Sequence, residues 1–466
     1  MRKVLLTLLV LGTVFLTGHS WCLVENTNNS SASGKEIIQS PAYPLGVYWS
    51  WERTGWIAKN SQQDKWTLTQ SLMKGLARRQ GVNTLWVVNI PDDDLIQFCR
   101  LAEKCQLSVL ALPEAACQWR KNKYQESPEK VAEQIYATLG NLPSLSGYVL
   151  ADEPEAAEMG YMESLRKSLA HKDPFRSSLT VTPRRNLDAM GYQTQLPVLA
   201  LDVYPFFGEG NPHGPNAMDT SIRYYRHWLE KLKNRADSQQ RIPWIMPQGF
   251  EETYGPWHYD KKRNVVYEKG AFLQWRMPHP DEIEWQFWES LRAGMKGVIY
   301  FSLLPVPNNR DSRQSPGDDS PVSSHFIQPG WPILSEESVS REGTGLLSIH
   351  GKETETMKRL GELYRKASPW QRELASMKKI SPQIQVEAPF TSASFQDPET
   401  GKTILIILND DLKNPQKGTG IINSGSPQYK TLFTRKGTIH FKKMTPDISS
   451  FRITLPPGGG ICLMSR

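Results

Sequence analysis

Short, unbroken apolar runs alternate with amphipathic stretches through the middle of the chain. The runs are Leu45–Trp51, Thr84–Asn89, Leu107–Glu114, Gly147–Glu153, Ser178–Pro183, Val198–Tyr204, Pro243–Gln248 and Gly297–Leu303. Continuous rather than alternating apolar character is the mark of strands covered on both faces. Between them, Trp66–Arg79 repeats apolar residues at Leu68, Leu72, Met73 and Leu76 and stops at Gly81. Asp92–Lys104 opens on an acidic cluster suited to a helix N-terminus. Ser127 and Pro128 read as an N-cap followed by proline at the first helical position. Ala156–Leu169, Thr220–Arg235, Pro280–Ala293 and Lys352–Lys366 complete the helices, with at most a short one near Leu187. Eight such units predict an α/β fold, a closed (β/α)8 TIM barrel over residues 42–378. An open doubly wound sheet would place a Gly-rich phosphate turn after its first strand, and YWSWERTGW is not one.

Near residue 381 the pattern changes. Gln383–Val386, Thr391–Phe395, Thr403–Leu408, Lys430–Thr434, Thr438–Phe441 and Phe451–Leu455 are short strand-like runs separated by turn residues, and PPGGGICLM supplies a last turn and strand. They predict a small antiparallel β-sandwich over residues 379–466. At the other end, Arg2 and Lys3 precede the apolar run Val4–Leu16 and the small residues Gly18 and Ser20. That run is too short to cross a bilayer and reads as a signal peptide over residues 1–22, followed by a polar lead-in over 23–41. The expected location is therefore secreted, periplasmic or at the cell surface. Lipid attachment at Cys22 is disfavoured by the bulky Trp21 before it.

Composition narrows the chemistry. A net charge of +7 over 466 residues, without a dense Lys/Arg block, argues against a nucleic-acid surface. No CxxC or HxxxH spacing predicts a metal, and no cofactor motif is present. Cys99 and Cys105 flank one helix and are either paired or free buried thiols. Fifteen tryptophans, several in predicted loops, are what a carbohydrate partner would need for stacking.

Barrel enzymes place working residues at the C-terminal ends of their strands. Those ends give Trp49, Trp51, Glu52 and Arg53; Asn89 and Asp92; Glu114; Asp152, Glu153 and Pro154; Asp202 and Tyr204; Gln248, Glu251 and Glu252; and Tyr300 and Ser302. Carboxylates, amides and aromatics recur on one rim, as glycosidic bond cleavage requires: one carboxylic acid to protonate the leaving oxygen, a second carboxylate to attack or to activate water. The candidate catalytic groups are Glu153, Glu251 and Asp202. The candidate substrate contacts are Asp152, Gln248, Tyr204, Trp49, Trp51, Glu114, Asn89 and Tyr300. A plainer reading of Glu153 is a helix N-terminal carboxylate, since Glu155 and Glu158 follow. Trp49 and Trp51, two apart, would share one strand face. Trp257, Trp275 and Tyr254 fall in an insertion after the seventh strand, and serve either sugar stacking or loop self-packing. Arg184 and Arg185 follow the fifth strand, as contacts to an anionic sugar or as a solvated pair.

Three stretches carry a family resemblance. GYVLADEP resembles the fourth-strand end of the clan A glycoside hydrolase barrels, which include β-galactosidase-like and β-mannanase-like enzymes and usually read Asn-Glu-Pro there. LALDVYP resembles their sixth-strand ends, and HPDEIEWQFWESLRAGMKGVIYFS the helix and eighth strand of bacterial barrels of this kind. The resemblance implies that Glu153 is the acid/base and that a β-sandwich follows the barrel. Two positions depart from the pattern. Asp152 stands where Asn is usual, adding a charge beside Glu153 that would raise the acid's pKa. Gln248 falls where the nucleophilic Glu is expected, leaving Glu251, Glu252 or Asp202 as the second carboxylate. Two function classes follow: an exported glycoside hydrolase acting on a polysaccharide or oligosaccharide, and a non-catalytic carbohydrate-binding barrel descended from one.

Overall fold

The computed structural model describes residues 41–121, 124–208, 217–254, 257–259, 265–267, 272–306, 345–423, 428–445 and 448–466. The signal and polar lead-in up to residue 40, and most of the Pro- and Ser-rich stretch after the eighth strand, lie outside them.

Eight parallel strands close into a barrel in chain order: Leu45–Ser50, Thr84–Val88, Ser108–Ala111, Leu145–Asp152, Ser177–Thr182, Val198–Val203, Ile242–Pro247 and Val298–Tyr300. The first strand closes the ring, pairing Leu45 with Val298 on one side and Gly46 with Thr84 on the other. Five of these strands are buried at every position, because barrel interior and helix layer cover both faces. The other three each have one half-buried end residue: Asp152, Ser177 and Ile242.

The helices begin where short polar side chains satisfy the free N–H groups. The Asp64 carboxylate accepts from Thr67 N–H at 2.8 Å before helix Lys65–Arg79, and Ser127 does so for Lys130 before helix Pro128–Leu139. Three helices were not expected from periodicity, the short Gln371–Ser376 among them. Trp51–Asn60 starts directly after the first strand, and Glu114–Lys121 directly after the third.

The C-terminal unit packs two antiparallel sheets. One holds Lys378–Lys379, Phe390–Gln396, Thr403–Asn409, Gly460–Ser465 and Tyr429–Thr434; the other holds Ile384–Val386, Gln416–Asn423, Ile448–Leu455 and Thr438–Lys443. Strand Gln416–Asn423 was missed because its Gly- and Lys-rich sequence has little β character. Strand Thr403–Asn409 is apolar throughout for a clear reason. Leu405 and Ile407 face the sandwich interior, whereas Ile404, Ile406 and Leu408 join the core shared with the barrel. Helix Pro280–Ala293 lies between the two units, and its Trp288 stacks on Phe433 with ring centroids 5.0 Å apart. Gly460 permits that approach, since a Cβ there would lie 2.4 Å from the Trp288 ring.

Candidate active site

The fourth strand is built to present its end. Its register with the fifth runs from Val149 opposite Leu179 to Asp152 opposite Val181, so one extra residue is accommodated in a bulge. Glu153 then turns through φ 46°, a left-handed conformation that costs a residue with a side chain about 1 kcal/mol or more. Its N–H is held by the Val181 carbonyl at 3.2 Å. The following helical turn is secured by other acids. The Glu155 N–H donates to Glu158 at 2.7 Å, and Arg120 grips both Glu158 oxygens at 2.9 Å while donating to the Asp152 carbonyl at 2.8 Å. Capping is thus done by Glu158, and Glu153 points elsewhere.

It meets Asp202, from the sixth strand. The two carboxyl groups are hydrogen-bonded to each other. Burial, then the charges of Asp202 and Asp152, hold Glu153 well above the ordinary carboxylate range. Burial also raises Asp202, to about 6, opposed by the hydrogen bond from Glu153 and by Arg184. Both acids are therefore pushed toward the protonated form, and the pair titrates as a unit. The Asp202 Oδ1 atom is buried and has no hydrogen-bond partner. Asp152 is also raised by burial and accepts from the Tyr48 hydroxyl at 2.8 Å. Tyr204 stands beside all three acids, and its ring packs with Phe250, Trp275 and Phe301 at 4.8, 5.4 and 5.7 Å.

A second cluster surrounds Arg53. This guanidinium is 2% exposed, lies over the Phe301 ring and reaches the Ser302 hydroxyl at 3.4 Å; its Nε has no partner. Burial raises Glu52 to about 7 and Glu252 to about 8, with Arg53 opposing both. Asn89, at φ 56°, donates to Glu52 at 3.0 Å.

The structure thus gathers Glu153, Asp202, Asp152 and Tyr204 in one group, with Asn89 in the neighbouring one. It disperses other candidates. The Gln248 amide is fully buried, accepts from Phe206 N–H at 2.8 Å and donates to the Phe206 and Arg276 carbonyls at 3.1 and 2.7 Å. It clamps loops together and has no face toward a substrate. Glu251 accepts from Met277 N–H at 3.3 Å, and its neighbour Glu252 is the one beside Arg53. Trp49 and Trp51 do not share a strand face, because Trp51 already belongs to the next helix. Both are buried against Phe98 of helix Asp92–Lys104, outside the barrel interior. Tyr300 is equally buried and donates to the Ile283 carbonyl at 2.8 Å. Glu114 is exposed and accepts from Gln118 on its own helix. Of the insertion aromatics, Trp275 joins Tyr204, while the side chains of Tyr254 and Trp257 lie outside the described residues. Cys99 and Cys105 are free thiols.

Tyr48, Arg53 and Phe301 carry no motif that would have singled them out. Strand phase was the available signal: with Trp49 facing the helices, Tyr48 must face the interior. A surface groove of 810 Å³ runs along helix Lys65–Arg79, and none of the mouth carboxylates lines it. Among the described residues, no group of three or more His, Cys, Asp or Glu is arranged to hold a metal ion, and no helix is long and apolar enough to cross a membrane.

The chain is similar in fold to solved glycoside hydrolases. A family 5 mannosidase from Rhizomucor miehei aligns over 72% of this chain and 98% of its own, with 11% identity and a TM-score of 0.46. A family 51 α-L-arabinofuranosidase from Bifidobacterium longum aligns over 94% and 98%, with 12% identity and a TM-score of 0.46. A Faecalibacterium prausnitzii β-glucuronidase aligns over 70% of this chain and 49% of its own, with 12% identity and a TM-score of 0.44. No family model and no curated protein matches the sequence. At these values the fold assignment rests on the closed barrel itself.

Proposed function

We propose that this barrel is a glycoside hydrolase, with Glu153 as the acid that protonates the leaving oxygen. The observation that carries the reading is the Glu153–Asp202 pair: a strained, buried acid, its pKa pushed well up by burial, coupled to a second buried acid at the C-terminal mouth. Asp202 acts on the proton of Glu153 rather than on water. Hydrogen-bonded carboxyls leave no space between them for a water, whereas inverting pairs stand about 6.5–9.5 Å apart. The opposing carboxylate comes from the Arg53 side of the mouth: Glu52, or Glu252 where it is ionised, above about pH 8. Tyr204, Trp275 and Phe301, all half-buried, offer apolar faces for a sugar ring. In keeping with the N-terminal sequence, the enzyme would act outside the cytoplasm.

One observation favours the binding-only alternative: the seventh-strand end carries Gln248, locked in its clamp, rather than a carboxylate. A single assay separates the two. Wild type and Glu153→Gln are incubated with a panel of polysaccharides and oligosaccharides, and anomeric proton signals are followed by NMR. New reducing ends from wild type alone support the hydrolase. Equal release by the variant, or binding without release, overturns it. Azide rescue of Glu52→Ala or Glu252→Ala identifies the opposing carboxylate.

A further inference from the structure

The fifth-strand end supplies two adjacent arginines with different fates. Arg185 points outward and pairs with Glu155 at 2.7 Å. Arg184 turns toward the mouth. Its guanidinium lies over the rings of Tyr224 and Trp228, with centroids at 5.1 and 5.8 Å, both on helix Met218–Ser238 after the sixth strand. These rings brace the planar group without using its N–H donors. Its strongest electrostatic neighbours are Asp202 and then Glu153. Among the described residues it makes no hydrogen bond and no ion pair. Helix-braced, half-buried and with its donors unspent among the described residues, it stands beside the reacting pair as a fork for an anion.

A purely solvated arginine would not need two aromatic faces. An arginine serving only to hold Asp202 ionised would be expected to bond it, yet Asp202 Oδ1 has no partner. The charge balance of the mouth agrees. Burial pushes the Glu153 and Glu252 carboxyls up, which lessens the negative charge of the mouth, and Arg53 is a second guanidinium without an ion pair among the described residues.

Resting on the glycosidase reading above, we infer that the site takes an acidic sugar, whose anionic substituent is bound by Arg184 next to the Glu153–Asp202 pair. The shared chemistry is a carboxylate or sulfate on the ring bound at the reaction centre. Specificity then comes from bidentate recognition by Arg184, and removing the charge leaves those donors unused.

The test measures binding, so that it stands apart from cleavage. Full-length wild type, Glu153→Gln, Arg184→Gln and Arg184→Lys are titrated by calorimetry and saturation-transfer NMR with glucuronate, galacturonate, the 6-sulfated sugars and the neutral parents. A charge-assisted contact predicts about tenfold or greater preference for the anionic member of a pair in wild type and Glu153→Gln. Arg184→Gln should erase that preference, and Arg184→Lys should retain part of it. Uronates above sulfates, or the reverse, identifies the anion. Equal or weaker binding of anionic sugars, no binding by any of them, or a preference that survives Arg184→Gln overturns the inference. Cleavage that persists in Glu153→Gln would instead overturn the hydrolase reading and leaves this preference measurable.

Discussion

Two groups of buried acids in this protein are treated in opposite ways. At the seam between barrel and sandwich, Glu289 is held by Arg292 and Arg226, at 2.8 Å for the Arg292 Nε and 3.1 Å for Arg226. Its neighbour Glu284 receives Arg359 at 2.9 Å and Arg435, which reaches across from the sandwich. At the mouth, Glu153, Asp202 and Glu252 have no ion pair among the described residues, and one Asp202 oxygen has no hydrogen-bond partner. Burial opposes ionisation in both places. At Glu289 the arginines outweigh it and its pKa falls; at Glu284, one of whose oxygens has no hydrogen-bond partner, and at the mouth burial prevails and the pKa values rise. Satisfied acids stabilise a seam, whereas acids left short of partners keep protons available for chemistry.

The largest effect expected from breaking this contrast is on activity. Glu153→Gln should lower kcat/KM on any cleaved glycan by at least about a hundredfold, the usual scale of a lost general acid, with little change in Tm. Initial rates and thermal unfolding check both halves. At the seam the outcome should reverse. Glu289→Ala leaves Arg292 without its counter-charge and Arg226 with Asp410 alone, and should cost about 3 kcal/mol, read by denaturant or thermal unfolding. Gln248→Leu tests whether the seventh-strand amide is scaffold. It would orphan Phe206 N–H and the Arg276 carbonyl and leave the Phe206 carbonyl with Arg276 N–H alone, and should lower stability by about 2–3 kcal/mol. A change confined to KM, with stability intact, would restore Gln248 as a substrate contact.

The smallest effects sharpen the comparison through pH. Asp202 is raised in the folded state, so its contribution to stability is present at low pH and lost as pH rises from about 4 to about 6. Glu289 is lowered, so its contribution is present above the ordinary carboxylate range and lost as pH falls through its folded value. Asp202→Asn should therefore raise Tm by a few degrees at pH 8 and leave it nearly unchanged at pH 4. The same substitution should remove an acidic limb near pH 6 from the pH dependence of kcat/KM. Parallel Tm–pH curves for wild type and Asp202→Asn would sink this account of the mouth.

Much of the barrel was legible because its signals are local. Each of the eight apolar runs overlaps an observed strand, and helices Asp92–Lys104 and Pro280–Ala293 begin and end where their caps and periodicity place them. What failed was phase. Ser50 and Trp51 read as one continuous apolar run, yet the chain turns from strand to helix between them. That turn sends Trp51 into the helix layer and makes Tyr48 the interior residue. Tyr300 failed in the same way, facing the helices rather than the mouth.

At the site, the Asp-Glu-Pro motif and LALDVYP drew attention to Glu153 and Asp202 separately, since acids at strand ends are visible in one dimension. The hydrogen bond between them was not, because it joins residues on different strands. The fate of Gln248 was hidden for the same reason: its four hydrogen-bonding partners come from three separate loop segments. The choice between Glu251 and Glu252 depended on the course of an insertion, and between Arg184 and Arg185 on the position of a helix two elements away. Sequence alone determined the order and burial of the elements, because hydrophobic periodicity and capping act over a few residues. Tertiary structure alone decided which polar groups find partners, because pairing and desolvation are set by neighbours that only folding brings together.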